Sequence, residues 1–353
     1  MKIAEAHIHA YGGDIKKAYS FFDLLSKKGV KKIAIQATTL HSQMEHNTEN
    51  VYALALKDTY KKADIYAFGS FYDVGIFSDI PYDVQLKKLL DAGCDGIKFL
   101  NMKPNIRKKI GKGINDASYD KALSIMEKEG VPVVLHSKDP KCFWHKDQML
   151  LEHVKRGWCY DQEGFLTYEE LHRDTLEMID KHPDLKVILA HFFFVSDDLK
   201  EAERILSKYP NVYFDITPNP EMFTHFSACI DAWQEFFIKY QDRIIFGTDA
   251  DESINMENTD DVYNLVLSAL THDKSEFDLF CYTPMRIRGL DLPKETLEKI
   301  LYKNFDKLTN NKPKPVNKEL LVKMLLENLE ITKKYPELAN EVKEYEDILK
   351  FLD

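Results

Sequence analysis

Apolar residues recur along the chain in short runs that each close on a polar one. Ile3-Ala4-Glu5-Ala6-His7-Ile8-His9, Val131-Pro132-Val133-Val134-Leu135-His136 and Val187-Ile188-Leu189-Ala190-His191 end on histidine. Arg243-Ile244-Ile245-Phe246-Gly247-Thr248-Asp249 ends on aspartate. Runs this short and this apolar read as buried parallel strands. The pattern predicts eight of them: 2–9, 32–37, 65–71, 96–100, one ending at His136, one at His191, 212–216, and one ending at Asp249. Amphipathic helical stretches, such as those near 48–63 and 82–92, lie between them. Eight βα units in series predict an α/β fold, a closed (β/α)8 TIM barrel. A doubly wound open sheet is the alternative, but it calls for a Gly-rich first turn that this chain lacks.

The barrel pattern fills residues 1–308, with a last helix at 293–308. The Asn310-Asn311-Lys312-Pro313-Lys314-Pro315 segment then breaks it. Residues 317–353 read as two charged amphipathic helices, so 309–353 is expected to be a C-terminal helical extension packed on the barrel, with an oligomer contact as the other reading. One βα connection is long. Residues 137–167 carry Phe143, Trp144, His145, Trp158 and Tyr160, a composition suited to a lid or substrate wall.

The polar ends of the strands carry the candidate chemistry. His7 and His9 are two apart, so on a strand both imidazoles face one side. Such a pair suits a borderline metal such as zinc, although a His-x-His pair alone is also compatible with two satisfied polar residues. His136, His191 and Asp249 each close a separate run. With His7 and His9 they fall at the carboxyl ends of strands 1, 5, 6 and 8, where barrels of this kind build active sites. The conjunction predicts a metal centre assembled from distant parts of the chain.

A hydrophobic content of 44% and a charged content of 30% fit an ordinary globular chain. The net charge of -10 argues against a nucleic-acid partner. No apolar run is long enough to span a membrane, and a strand beginning at residue 3 leaves no room for a signal peptide. The cysteines Cys94, Cys142, Cys159, Cys229 and Cys281 are scattered and show no CxxC spacing. A disulfide framework is therefore not expected, and a cytoplasmic location is.

With these residues in order, the chain resembles the amidohydrolase superfamily of metal-dependent barrel hydrolases. It is most similar to the branch with aminocarboxymuconate semialdehyde decarboxylase and related lactonases and hydratases. His7, His9, Lys98, His136, His191 and Asp249 match that pattern on strands 1, 4, 5, 6 and 8. The stretch Asn211-Val212-Tyr213-Phe214-Asp215 and the run Gly289-Leu290-Asp291-Leu292-Pro293 are also similar to that branch. The resemblance implies that His7, His9, His136 and Asp249 bind a divalent metal, zinc foremost. Asp249 and His191 would be catalytic, Asp249 as proton carrier and His191 as polariser. Lys98 would either be carboxylated and bridge a second metal, with His191 as a further ligand, or contact substrate as an ammonium. A homo-oligomer is implied too.

Lys138, His145 and Arg173 fall on or just beyond the long loop and are candidates for binding a carboxylated substrate, against the plainer reading of surface charge. His41, His46, Tyr72, Asp73 and Asn101 follow strands 2 to 4 and are placed near the mouth. The expected function is hydrolysis of an amide, lactone or ester-like bond in a small molecule by a metal-activated water. The alternative is decarboxylation or hydration of a small carboxylic acid at the same site. A barrel that only binds or scaffolds is the third reading, opposed by the intact set of six positions.

Overall fold

The computed structural model describes residues 1–12, 14–41, 44–219, 221–252, 256–281 and 283–352, without the side chains of residues 41, 44, 152, 256–258, 280, 281 and 283. His41 and Cys281, singled out above, thus have side chains outside the described set.

Seven strands follow the predicted order: Ile3–His9, Val30–Gln36, Asp64–Gly69, Gly96–Phe99, Val133–Leu135, Val187–Leu189 and Val212–Asp215. The eighth is split into Ile244–Ile245 and Ala250–Asp251. All pair in parallel, each with its neighbours in sequence. The first half of the eighth strand pairs with the seventh, and the second half pairs with the first. Between the halves, Phe246 O accepts from Ala6 N at 3.1 Å and Asp249 N donates to His7 O at 2.8 Å. The eighth strand is therefore bonded on both sides, and the sheet closes into the (β/α)8 barrel. Its break is what the apolar run around Gly247 could not reveal. A Cβ on Gly247 would lie 2.9 Å from His7 Cβ and 2.9 Å from Thr217 Cγ2, so only glycine lets the chain pass this close to the first strand.

Inward-facing residues fill the cylinder. Ala4, Ala6, Ala34, Tyr66, Phe68 and Val134 form one buried cluster with Ile188 and Ile245, and Phe305 and Leu308 of the closing helix join it. The first strand has a register irregularity between Glu5 and Ile8. Such a bulge shifts the alternation by one. Ala4 and Ala6 thus share the interior with His7 and His9, while Ile8 joins the outer core under the helices. The larger apolar layer lies there, between sheet and helix ring.

Helix starts follow local signals. Thr167 and Glu170 form a capping box at Tyr168–Lys181, and Asp14 caps Ile15–Lys27. An antiparallel hairpin, Glu276–Cys281 with Thr283–Arg288, stands outside the barrel. Its alternation of polar and apolar residues, Glu276-Phe277-Asp278-Leu279, is a strand signal that the eight-unit reading passed over.

The extension forms two helices, Lys318–Thr332 and Ala339–Leu352, packed on each other and on the helices Glu49–Thr59 and Tyr82–Ala92. Its connector is tied down: Lys314 N donates to Asp95 Oδ1 at 2.7 Å and Asn317 N to Ala92 O at 3.1 Å. Among the described residues no helix is long and apolar enough to cross a membrane. Cys94, Cys142, Cys159 and Cys229 are free thiols.

Candidate metal centre

His7, His9 and Asp249 each bring one ligand atom to within 4.8 Å of the other two. Asp249 Oδ1 lies 3.1 Å from His9 Nε2 and 3.5 Å from His7 Nε2. Both imidazoles are buried, while the carboxylate is partly exposed. The first strand supplies the histidines from its last three residues, and the break in the eighth delivers the aspartate. Asp249 sits there in left-handed conformation (φ 58°), which Asp tolerates better than most residues.

The remaining ring nitrogens are held by acceptors. His7 Nδ1 is 2.8 Å from Asp215 Oδ2, and His9 Nδ1 is 2.8 Å from Gln36 O. Each contact fixes the proton on Nδ1 and leaves Nε2 as the acceptor, which on His7 faces Lys98 Nζ at 2.8 Å. His136 shows the mirror arrangement, with Nε2 3.0 Å from Asp139 Oδ1. An acceptor behind each ligating imidazole is what metal-binding histidines require, so the donor set fits a divalent cation of borderline character.

Charges around the group are set mainly by burial. Desolvation and, after it, the nearby Lys98 ammonium bring the His7 pKa down to about 4, against Asp215 and Asp249. Burial opposes ionisation of Asp249, but His9, His191 and His7 outweigh it and hold its carboxyl well below the usual range. Asp215 behaves likewise and falls to about 2, burial being overcome first by His7. Lys98 is buried, its Nζ 2.8 Å from His7 Nε2, and desolvation brings its pKa down to about 8.

His191 reaches the site through an unusual backbone. His191, Phe192, Phe193 and Phe194 all have φ between 52° and 56°, a full left-handed turn without glycine. Such residues are individually disfavoured, so the surroundings must hold them. Phe192 is clasped by Phe214, Phe226 and Trp233, and Tyr168 donates its hydroxyl to Phe194 O. His191 N donates to Asp215 Oδ1 at 2.7 Å. The ring lies 5.6 Å from that of His7 and 4.8 Å from that of His136, and its buried Nδ1 has no hydrogen-bond partner.

The structure thus brings His7, His9, Asp249, Lys98 and His191 together. His136 stands beside His191, outside the tight three-residue group. Lys138, His145 and Arg173 do not form a cationic cluster. Lys138 is buried 3.9 Å from the ring centres of both Tyr168 and Phe193, with its Nζ 2.6 Å from His172 Nδ1. Arg173 is exposed and faces Asp174 and Glu177. His145 is exposed between two short 3-10 turns. Lys103, whose Nζ is 2.7 Å from Asp139 Oδ1, places a positive charge near His136. Asn101 is buried with both amide atoms unpartnered. Tyr72 and Asp73 are held by protein partners: Tyr72 donates to Asn47 O, and Asp73 accepts from Tyr82.

Asp215 and Asp139 were missed as site residues. Asp215 carried a readable signal, since it is the one charged residue in the seventh run, and it ends the observed strand Val212–Asp215. Asp139 follows its strand at a distance, and nothing in the local pattern marks it.

An amidohydrolase family model matches residues 36–308, which span most of the barrel, and the chain belongs to that family. No curated protein matches the sequence. Solved structures share the fold at low identity. A 2,6-dihydroxybenzoate decarboxylase from Rhizobium has 15% identity and a TM-score of 0.53, covering 88% of this chain and 99% of its own. A putative amidohydrolase from Staphylococcus aureus has 15% identity and a TM-score of 0.55, covering 88% and 100%. A 4-oxalomesaconate hydratase from Rhodopseudomonas palustris has 11% identity and a TM-score of 0.53, covering 88% and 96%.

Proposed function

We propose that this amidohydrolase-family enzyme is a zinc-dependent hydrolase that directs a water onto an amide, lactone or ester-like bond of a small molecule. The observation that carries the reading is the grouping of His7, His9 and Asp249, with Asp215 and Gln36 O fixing the two imidazole tautomers. His136 would complete the ligand set through the ring nitrogen that does not face Asp139. When bound, zinc supplies Lewis acidity that brings the ionisation of water toward pH 7.

The side chains would divide the remaining work. The Asp249 carboxylate stays ionised at neutral pH, so it can accept a proton from the attacking water and pass it to the leaving group. His191 is neutral because burial lowers its pKa, and its unpartnered Nδ1 can orient the carbonyl or the water. Lys98 would contact the substrate or, carboxylated, hold a second metal.

Decarboxylation or hydration of a small acid is the second reading. The buried Lys98 beside His7 favours it, because a cation at the site would hold an acid group of the substrate. A substrate screen on zinc-loaded protein tests both, with pH-indicator detection of ester and lactone cleavage and amine-reactive dye detection of amide cleavage, alongside CO2 release from small aromatic acids. Cleavage abolished in Asp249→Asn supports hydrolysis. CO2 release without cleavage would replace hydrolysis by the lyase reading.

A further inference from the structure

We infer that the C-terminal helix Ala339–Leu352, which lies beyond the matched family span, holds the loops around the metal centre and so slows release of its metal. The inference rests on the reading of His7, His9 and Asp249 as metal ligands.

The argument follows contacts inward. Tyr345 is fully buried, and its hydroxyl donates to Asn47 O at 2.8 Å. Tyr72 donates to the same carbonyl at 2.9 Å, so one backbone oxygen joins the tail to the loops after the second and third strands. Glu341 Oε2 accepts from Asn47 Nδ2 at 2.9 Å, and Glu344 Oε2 accepts from Thr48 Oγ1 at 2.7 Å. Both carboxylates thereby sit at the start of the helix Glu49–Thr59, where the helix dipole favours negative charge. The loop after the first strand meets them too. A Cβ on Gly12 would be 3.5 Å from Glu344 Oε2 and 3.5 Å from Thr48 Oγ1.

The residues next to these anchors lead to the centre. Tyr11 precedes Gly12 and lies parallel to His9, with ring centres 5.4 Å apart and planes at 4°. His46 precedes Asn47, and its ring centre is 6.5 Å from that of Tyr11. His9 in turn is 3.1 Å from Asp249. A continuous path therefore runs from Glu344 and Tyr345 through Gly12, Asn47 and Thr48 to Tyr11 and His46, and then to His9. Tyr11 covers one face of an imidazole that must keep its orientation for its Nε2 to bind. Tyr345, Glu344 and Glu341 are positioning residues, acting through the loops and touching no ligand atom.

The test is the rate at which zinc-loaded full-length protein gives up metal to a chromogenic chelator, well below its melting temperature. The variants are Tyr345→Phe, Glu344→Gln and their combination. Glu327→Gln is the control, because it breaks the tail–barrel contact with Lys88 away from these loops. Release at least tenfold faster in the double variant, with Glu327→Gln equal to wild type, is the expected result. Equal rates in double variant and wild type would overturn the inference while leaving the metal centre standing. Equal acceleration in Glu327→Gln would also overturn it, by showing only a loosened tail. Should the double variant not fold, the same comparison is read from Tyr345→Phe alone, which loses one hydroxyl. A wild type that holds no zinc would sink the metal-centre reading itself, and this inference with it.

Discussion

Lys98 Nζ lies 2.8 Å from His7 Nε2, on the ring nitrogen that Asp215 leaves free for a metal. The ammonium and a metal ion would compete for one lone pair. Substituting Lys98→Met should therefore tighten zinc binding by roughly tenfold or more. Unit charges about 4 Å apart repel by about 4 kcal/mol even at an effective dielectric near 20. Competition titration against a chelator of known affinity measures it. A variant that binds one zinc less than wild type would show instead that Lys98 is carboxylated and bridges two ions.

Asp215 is the residue on which His7 depends. It receives the His7 Nδ1 proton and the backbone N–H of His191. Asp215→Asn should weaken metal binding on the order of 10–100-fold, the usual range for loss of a carboxylate behind a ligating histidine. Zinc per chain after dialysis, read by elemental mass spectrometry, would show it. Undiminished zinc would mean that His7 is oriented by something else.

Glu252 gives a pH dependence. Burial raises its pKa from 4.5 to about 7, against hydrogen bonds from its own backbone and Tyr11. Between those values the folded chain keeps a proton that the unfolded chain has lost, so stability falls as pH rises from about 4.5 to 7 and levels off above. Glu252→Gln should remove up to about 3 kcal/mol of that fall. Glu5, also raised to about 7 by burial, leaves a residual slope. Urea unfolding at pH 5 and pH 7.5 compares the two proteins. An unchanged difference between them would rule out Glu252 as a source.

Tyr160 ties the long fifth loop to the site by donating its hydroxyl to Asp139, which also faces His136 and Lys103. Tyr160→Phe leaves the ring packing intact and removes one donor to a buried carboxylate. The expected cost is about 1–3 kcal/mol of stability. A change well under 0.5 kcal/mol in denaturant unfolding would show that the hydroxyl contributes little.

Strand order and the grouping of His7, His9 and Asp249 were legible because they depend on local pattern: an apolar run, then a polar residue at its carboxyl end. His7, His9, His191 and Asp249 follow that rule, and the helix expected near 82–92 is found at Tyr82–Ala92, ended by Gly93 in left-handed conformation. What escaped depends on contacts distant in sequence. The polar ends of Lys138 and Arg173 look alike on the page, yet one is buried between two rings and the other faces carboxylates in solvent. The split of the eighth strand reflects the close passage of Gly247 past His7, which no periodicity records. The partners of Asn47 lie almost 300 positions away, on Glu341 and Tyr345.

The left-handed turn His191–Phe194 makes one reactive group hostage to packing some distance away. Each of its four residues carries a backbone penalty of roughly 1–2 kcal/mol. The aromatic cluster around Phe192, the hold of Tyr168 on Phe194 and the bond from His191 N to Asp215 keep the turn wound. Trp233 and Phe226, which pack on Phe192 from helices outside the sheet, thereby help decide where an imidazole points. A change of shape among those outer rings would let the turn relax toward ordinary backbone and swing His191 away. Selection for chemistry in this barrel would therefore reach outward to the aromatic residues of its helical shell.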